Sequence, residues 1–175
     1  QGVSSAASDV YKRQAGGVGS RIDVLEHVFK NKIENTLFAG IYNEEIFREL
    51  KNKKNKIVIK DSLSKKKISI SIDKFYLKND NAIVISNNNT VIFTKYRKPF
   101  HYLSDFRELN INLKKYKILI VKSGYLSPEL KKLKADNFMI LTDGFVTQDF
   151  KRIKNLFREK PIYPFQKNFR YNIAI

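Results

Sequence analysis

The chain has 175 residues, of which 42% are hydrophobic and 13% aromatic, and it carries a formal charge of +17 at pH 7. A chain of this size can bury a core as one domain, and its apolar content excludes a mainly disordered protein. Cysteine is absent and histidine occurs twice, so disulfides and thiolate metal sites are excluded, and a self-contained zinc site would depend mainly on carboxylates. No apolar run approaches the ~18 residues of a membrane helix, so we expect a cytoplasmic protein with no membrane partner.

The positive charge admits an alternative interpretation, a module that binds nucleic acid or another polyanion. Lysine far outnumbers arginine, and the lysines are scattered along the chain. Arginine is the preferred residue for bidentate contacts with phosphate and guanine. Specific nucleic-acid binding is therefore disfavoured, and the charge by itself indicates only non-specific attraction.

The first fourteen residues are similar to an in-frame translation of a sequencing adapter. The phrase that carries this likeness is Ser4-Ser-Ala-Ala-Ser-Asp-Val-Tyr-Lys-Arg-Gln14. We expect residues 1–14 not to be native and the natural sequence to begin near Ala15. The segment is then expected to be the carboxyl-terminal piece of a longer protein.

Helices and strands are predicted to alternate in the first third of the chain. Ser20 and Asp23 have the spacing of a capping box, and apolar residues follow at helical intervals. Asn43 is a predicted cap for a second helix. The predicted elements are a helix at 21–31, a strand at 37–41, a helix from 43 to about 50 and a strand at 56–60.

The middle of the chain has the alternation typical of antiparallel strands. Residues 64–72 alternate polar and apolar, which predicts a half-buried strand. Strands at 82–85 and 90–94 are joined by three asparagines, which tolerate the left-handed backbone of a tight turn. The later predictions are a helix at 104–109, a strand at 118–122, a helix at 128–134, a strand at 138–141, a helix at 147–157 and an extended aromatic segment at 161–175. Together they predict an α/β fold: a single domain with a mixed sheet flanked by helices and a central antiparallel β insertion.

Two of the predicted buried strands end in a polar residue and a glycine. The runs are Tyr116-Lys-Ile-Leu-Ile-Val-Lys-Ser-Gly124 and Phe138-Met-Ile-Leu-Thr-Asp-Gly-Phe145. In open α/β sheets ligands bind at the carboxyl ends of the strands. The candidate cleft residues are therefore Lys122, Ser123, Asp143 and Gly144.

None of these residues is predicted to be catalytic. Ser123 lacks the Gly-x-Ser-x-Gly elbow and a nominated base, which favours a turn or a ligand contact over a nucleophile. Asp143 either orients Lys122, lines the cleft or caps the following helix. His101 can carry a proton, but its position beside Pro99 favours a surface loop.

A glycine-rich stretch precedes the first predicted helix, with Gly16, Gly17 and Gly19 followed by Ser20. It is either an anion cradle or a tight turn at a domain junction. The turn is favoured, because the stretch lacks the Gly-Lys-Ser/Thr ending of a nucleotide loop. A small-molecule anion-binding domain that uses this loop and Lys122 is a third interpretation.

Five phrases, in order, resemble the carboxyl-terminal domain of the microcystinase C family, M81-type zinc metallopeptidases. They are Asn81-Ala-Ile-Val-Ile-Ser86, Lys95-Tyr-Arg-Lys-Pro-Phe100, Tyr116-Lys-Ile-Leu-Ile-Val-Lys-Ser-Gly124, Thr142-Asp-Gly144 and Lys160-Pro-Ile-Tyr-Pro164. The glycine stretch and Ala39-Gly-Ile-Tyr-Asn43 are similar to that domain's opening. The resemblance covers about 15–165 and leaves 166–175 as a tail.

The resemblance implies a hydrolase whose zinc ligands lie in an amino-terminal domain missing from this segment. This segment would bring no catalytic or metal-binding residue, and it would form one wall of the cleft for a peptide-like substrate. The sequence departs from the family in two places. Ser20-Arg21 stands where the family has an acidic residue, and Tyr125-Leu126-Ser127 stands where it often has His-Phe-Arg, which implies a diverged substrate.

Overall fold

The fold is described, in a computed structural model, for residues 20–52, 55–61, 64–122, 127–133, 136–138 and 140. The helices are α1 (Asp23–Lys30), α2 (Glu45–Lys51), α3 (Leu103–Arg107) and α4 (Pro128–Lys131), with a 3-10 turn at Leu113–Lys115. The strands are β1 (Thr36–Tyr42), β2 (Lys56–Lys60), β3 (Lys67–Ser71), β4 (Lys74–Lys78), β5 (Asn81–Ser86), β6 (Asn89–Thr94) and β7 (Ile118–Val121).

The described strands form two sheets. The larger has the order β4-β5-β6-β1-β7, with β1 parallel to both β6 and β7 and the strands from β4 to β6 antiparallel. The smaller is the antiparallel hairpin β2-β3. The prediction of a single α/β domain with a mixed sheet is confirmed.

Apolar side chains cover both faces of the larger sheet. On one face the sheet packs against α1, α2 and the β2-β3 hairpin, through residues that include Phe38, Ile41, Val84 and Phe93. On the other face it packs against α3 and α4, through residues that include Leu37, Ala39, Ile83 and Ile92. Because β1, β5 and β6 are buried on both faces, their sequences read as nearly continuous apolar runs.

Gly40 interrupts the alternation of β1. Phe38 and Ile41 both face the α1 side, although residues three apart in a regular strand point to opposite faces. The register against β6 shifts between Ala39 and Ile41, and Gly40 has a φ of +92°. A one-residue bulge at Gly40, whose backbone is left-handed, thus places Ile41 on the same face as Phe38.

Gly40→Ala is therefore expected to destabilise the domain by about 1–2 kcal/mol, because an L-residue is strained at this φ. A Cβ at this position would meet its neighbours at 3.5–3.7 Å, which is ordinary van der Waals contact, so strain and not a clash sets the cost. Urea unfolding monitored by circular dichroism measures it. Asn88→Gly is the control, because the φ of Asn88 is +59° and glycine relieves strain there. Equal stabilities of G40A and the parent chain would contradict the bulge argument.

The predicted asparagine hairpin is confirmed. Asn87 and Asn88 have φ values of 48° and 59°, as a two-residue turn between β5 and β6 requires. The preceding turn at Asn79 and Asp80 has the same left-handed backbone, with φ values of 48° and 56°. It joins β5 to β4, a strand that the sequence analysis missed because its Lys-Phe-Tyr-Leu-Lys pattern is only half buried.

Four predictions about local structure were wrong. Ser20 does not cap α1: the N-cap is Ile22, without a side-chain bond, and Asp23 pairs with Arg21 instead.

The other three wrong predictions concern burial. The strand over 118–122 is only half buried, and Ile118 is 41% exposed. The strand over 138–141 is not found at its described positions, because Phe138 and Ile140 are exposed and lie outside any strand. His101, expected on a surface loop, is buried. The predictions for 1–14, 147–157 and 161–175 lie outside the described residues.

Candidate functional site

The parallel strands β6, β1 and β7 end at the same edge of the larger sheet, which we call the carboxyl edge. Lys122 follows β7 directly, and its backbone N–H donates to the carbonyl of Ala39 at 3.0 Å. A Cβ on Gly40 would lie 3.6 Å from the Lys122 carbonyl oxygen and 3.5 Å from Cδ2 of Phe100. Lys122 and Phe100 thus both lie next to the bulge in β1.

The Lys122 side chain is buried at this edge, with 5% of the residue exposed. Its Nζ donates to the backbone carbonyl of Arg21 at 3.0 Å, across 101 positions of sequence. Burial lowers the pKa of Lys122 from 10.5 to about 7, although the nearby Asp61 carboxylate raises it in part. Lys122 therefore holds the 20–22 segment against the end of β7.

Asp61 holds the same segment from the β2-β3 side. Its carboxylate is fully buried and accepts the N–H of Ile22 at 3.1 Å and the N–H of Ser64 at 2.8 Å. The guanidinium Nε of Arg21 lies 3.5 Å from the same carboxylate. Asp61 also raises the pKa of Lys122, so this buried acid stabilises charge on both Arg21 and Lys122.

Asp23 and Lys66 complete this group on its outer side. The Asp23 carboxylate pairs with the Arg21 guanidinium and accepts from Lys66 Nζ at 3.0 Å. We call Arg21, Asp23, Asp61, Lys66 and Lys122 the charged cluster. Lys122, Asp61 and Lys66 each hydrogen-bond the 20–23 segment to the body of the domain, so the chemistry of the cluster is that of an anchor.

The titration of Lys122 gives this anchor a measurable pH dependence. The folded-state pKa is depressed to about 7, so between pH 7 and 10.5 the unfolded chain binds more protons at this residue than the folded chain does. Stability from this residue therefore rises with pH in that window, by up to ~1 kcal/mol per pH unit.

We expect the parent chain to gain stability relative to K122M between pH 7 and pH 9, as measured by urea unfolding at each pH. K30M is the control, because the Lys30 side chain is 72% exposed. A parent-minus-K122M difference that does not change with pH would contradict the burial of an ionisable ammonium.

The loop that follows β6 lies at the same edge. The Arg97 guanidinium lies over the Tyr42 ring at 5.6 Å, and Lys98 Nζ lies 3.2 Å from the Asp105 carboxylate. The other oxygen of Asp105 accepts the N–H of His101 at 3.0 Å and that of Tyr102 at 2.9 Å. Asp105 thus fixes the loop at the start of α3.

Two hollows on the described surface lie away from Lys122. One, of about 390 Å³, is at the opposite, amino edge of the sheet and is lined mainly by polar residues that include Glu34 and Asn88. The other, of about 510 Å³, lies beside α3 and is lined by residues that include Phe106, Ile111 and Leu133. Neither hollow includes Lys122, so these two do not form the predicted cleft.

Among the sequence-predicted site residues, the structure describes Lys122 and Ser20. Lys122 lies at the carboxyl edge, as predicted, but its ammonium is turned inward to Arg21. Ser20 is partly buried at the start of the anchored segment. The others lie outside the described residues: Gly16, Gly17, Gly19, Ser123, Asp143 and Gly144.

Sequence reasoning missed Asp61 and Arg21. Asp61 continues the two-residue alternation of Ile57 and Ile59 on the buried face of β2, and this alternation is the signal that could have found it. The described part of the chain does not offer a metal site, because no three of its histidine, aspartate or glutamate side chains form a group that could hold a metal ion.

Comparison with protein families identifies the chain. A family model described as "MlrC C-terminus" matches residues 59–155, which is more than half of the sequence. The chain belongs to the MlrC C-terminus family. The resemblance noted from the sequence is thereby confirmed.

One solved structure has a fold similar to that of this chain. It is a crystal structure of a Mesorhizobium sp. BNC1 protein named "Putative metallopeptidase", with 12% identity and a TM-score of 0.59. The match covers 95% of this chain and 38% of that chain, so this chain spans well under half the length of that protein. The comparison with curated proteins found no match. In the described residues, no helix is both long enough and apolar enough to cross a bilayer.

Proposed function

We propose that this chain is the non-catalytic carboxyl-terminal domain of a zinc-dependent metallopeptidase. In this proposal a preceding domain holds the metal, and this domain forms one wall of the active-site cleft and the interface to that domain. The parent hydrolyses a peptide-like substrate. Family membership supports the assignment, and so does the much greater length of the structurally similar Mesorhizobium protein.

One observation supports a particular side of the domain as the side that faces the preceding domain. The 20–22 segment is fixed to the carboxyl edge by Lys122 from β7 and by Asp61 from the end of β2. In this proposal, a domain that precedes this segment therefore lies at the carboxyl edge. In open α/β sheets that edge is also where ligands bind.

The residues at this edge are suited to positioning and contact. Lys122 and Asp61 hold the backbone that leads to the preceding domain, and Arg97 offers a guanidinium at the edge beside Tyr42. Ser123, Asp143 and Gly144 stay candidates for the cleft wall. Gly16, Gly17 and Gly19 stay candidates for the junction, in accord with the anchored residues that follow them.

The test is peptide hydrolysis by the full-length protein that carries this chain. Activity should disappear on chelation, return with Zn²⁺, and be absent from the present chain at the same concentration. Hydrolysis that survives chelation, or that the present chain performs alone, would contradict the proposal. A full-length protein without a metal-ligand-bearing domain ahead of Ser20 would also contradict it.

The polyanion-binding alternative has a direct test of its own. The described lysines include Lys56, Lys60 and Lys67 on the exposed side of the β2-β3 hairpin. Binding of the chain to duplex DNA should be weak at physiological salt, because scattered lysines give only a salt-sensitive attraction. Tight binding that persists at 0.15 M salt would favour the alternative.

A further inference from the structure

Residues 95–102, which we call the edge loop, expose two aromatic side chains. Tyr96 is 59% exposed and Tyr102 is 57% exposed, and both belong to the connection between β6 and α3. Between them lies Arg97, whose guanidinium is over Tyr42. Tyrosine and arginine are the residue types enriched at protein interfaces and at their energetic centres.

Buried contacts fix the edge loop to the rest of the domain, so its two exposed tyrosines do not belong to a flexible segment. Phe100 is fully buried, with its ring centroid 5.3 Å from that of Phe106. Ser127 donates a hydrogen bond to the carbonyl of His101, and Glu129 accepts the N–H of Leu103 at 2.8 Å. A surface fixed before binding loses little conformational entropy on docking.

The edge loop and the anchored 20–22 segment meet at the same strand end. Phe100 of the loop and Lys122 both contact the Gly40 position, and Lys122 binds Arg21. The 20–22 segment is therefore fixed at the strand end that the edge loop also contacts. This places one occupant, the preceding domain of the same polypeptide, within reach of the exposed tyrosines.

We propose that the edge loop is the docking surface for that preceding domain, an inference that rests on the proposed function. Tyr96 and Tyr102 are the apolar anchors. Lys95, Arg97 and Lys98 add three cations to the loop, and Lys95 pairs with Asp80 while Lys98 pairs with Asp105. The complementary surface is expected to contain apolar pockets for two aromatic rings and hydrogen-bond acceptors at their rim.

Cysteine labelling in the full-length protein tests this surface. The present chain contributes no cysteine, so Y96C and Y102C each report one position after native cysteines elsewhere are replaced. V58C is the matched control, because Val58 is 41% exposed on β2, outside the edge loop. We expect maleimide to modify Y96C and Y102C about tenfold or more slowly than V58C, because an interface core excludes solvent.

Labelling in denaturant shows whether a slow reaction comes from burial of the cysteine in the folded protein or from a low intrinsic reactivity of its thiol. All three variants should react at similar rates once unfolded. Rapid labelling of both tyrosine positions in the folded full-length protein would overturn the docking surface, even if the protein is an active zinc peptidase. Conversely, protected positions in a protein without chelator-sensitive hydrolysis would retain the docking surface and reject the proposed function. The two failures are thus distinguishable.

Discussion

Replacing Asp61 with alanine is expected to destabilise the domain by about 3–5 kcal/mol, because it removes one member of a buried charged network and leaves its partners without an acceptor. The Asp61 side chain is fully buried, its charge stabilises the Lys122 ammonium, and it lies 3.5 Å from Nε of Arg21, which keeps Asp23 as a second partner. The backbone N–H groups of Ile22 and Ser64 lose their acceptor in the same variant. The loss is therefore larger than that of a surface ion pair, which is at most about 1 kcal/mol.

Urea unfolding of the chain and of D61A measures this effect. D136A is the matched control, because Asp136 is exposed. D61N should be intermediate, since asparagine keeps an acceptor oxygen and lacks the charge. Equal midpoints for D61A and D136A would contradict the role of the charged cluster.

The double variant D61A/K122M separates charge balance from the lost backbone hydrogen bonds. If Asp61 acts mainly as the counter-ion of Lys122, removing the ammonium as well recovers part of the loss. We expect the double variant to be less destabilised than the sum of the two single variants. Strict additivity would mean that the two side chains stabilise the 20–22 segment independently.

Phe100→Ala is expected to destabilise the domain by about 3–5 kcal/mol, the usual cost of removing a buried aromatic ring. Phe100 is fully buried, packs on Phe106 and touches the Gly40 position. The ring also supports the edge loop, so the amides that follow it should exchange faster with solvent. Two effects, on global stability and on local protection, are therefore expected from one substitution.

Thermal or urea unfolding measures the first effect, and hydrogen exchange across residues 95–102 measures the second. F100L should lose less than about 1.5 kcal/mol, because leucine refills most of the volume. Y96A is the exposed aromatic control and should be nearly neutral. An F100A variant as stable as Y96A would show that the edge loop is not held by its buried ring.

The parts of the fold that could be predicted from sequence are those with a local physical signal. The asparagine turn between β5 and β6 was predicted because asparagine adopts the left-handed backbone with little strain. Asn43 was predicted to cap α2, and its side chain does accept the N–H of Ile46 at 3.3 Å. Both signals act within four residues, so no tertiary contact was needed to read them.

The candidate site depended on contacts that sequence reasoning could not see. Lys122 was placed at the strand end, but its inward direction depends on Arg21 and Asp61, far away in sequence. Asp61 shares the alternation of Ile57 and Ile59, but an acid beside several lysines is normally expected to face solvent. The bulge at Gly40 was missed because a glycine within an apolar run does not reveal a phase shift until the partner strand is known.

The exposed ends of the described region were misjudged for a related reason. Phe138 and Ile140 belong to an apolar run, which was read as a buried strand, yet both are exposed. An apolar run indicates that its side chains favour burial, but it does not show which surface they pack against. His101 was misjudged in the opposite direction, because Ser127 and Asp105 bind its backbone and draw it inward.

The central claim, that the carboxyl edge faces the metal-bearing domain, is tested most directly by metal-induced fluorescence quenching in the full-length protein. A fluorophore is attached to E45C, which is exposed at the carboxyl edge where α2 follows β1, or to K74C, which is exposed at the opposite edge, where β4 begins. A strand of six residues separates these edges by roughly 20 Å. With Co²⁺ in the metal site, we predict strong quenching at E45C and little at K74C. Equal quenching at the two positions, or stronger quenching at K74C, would contradict the account.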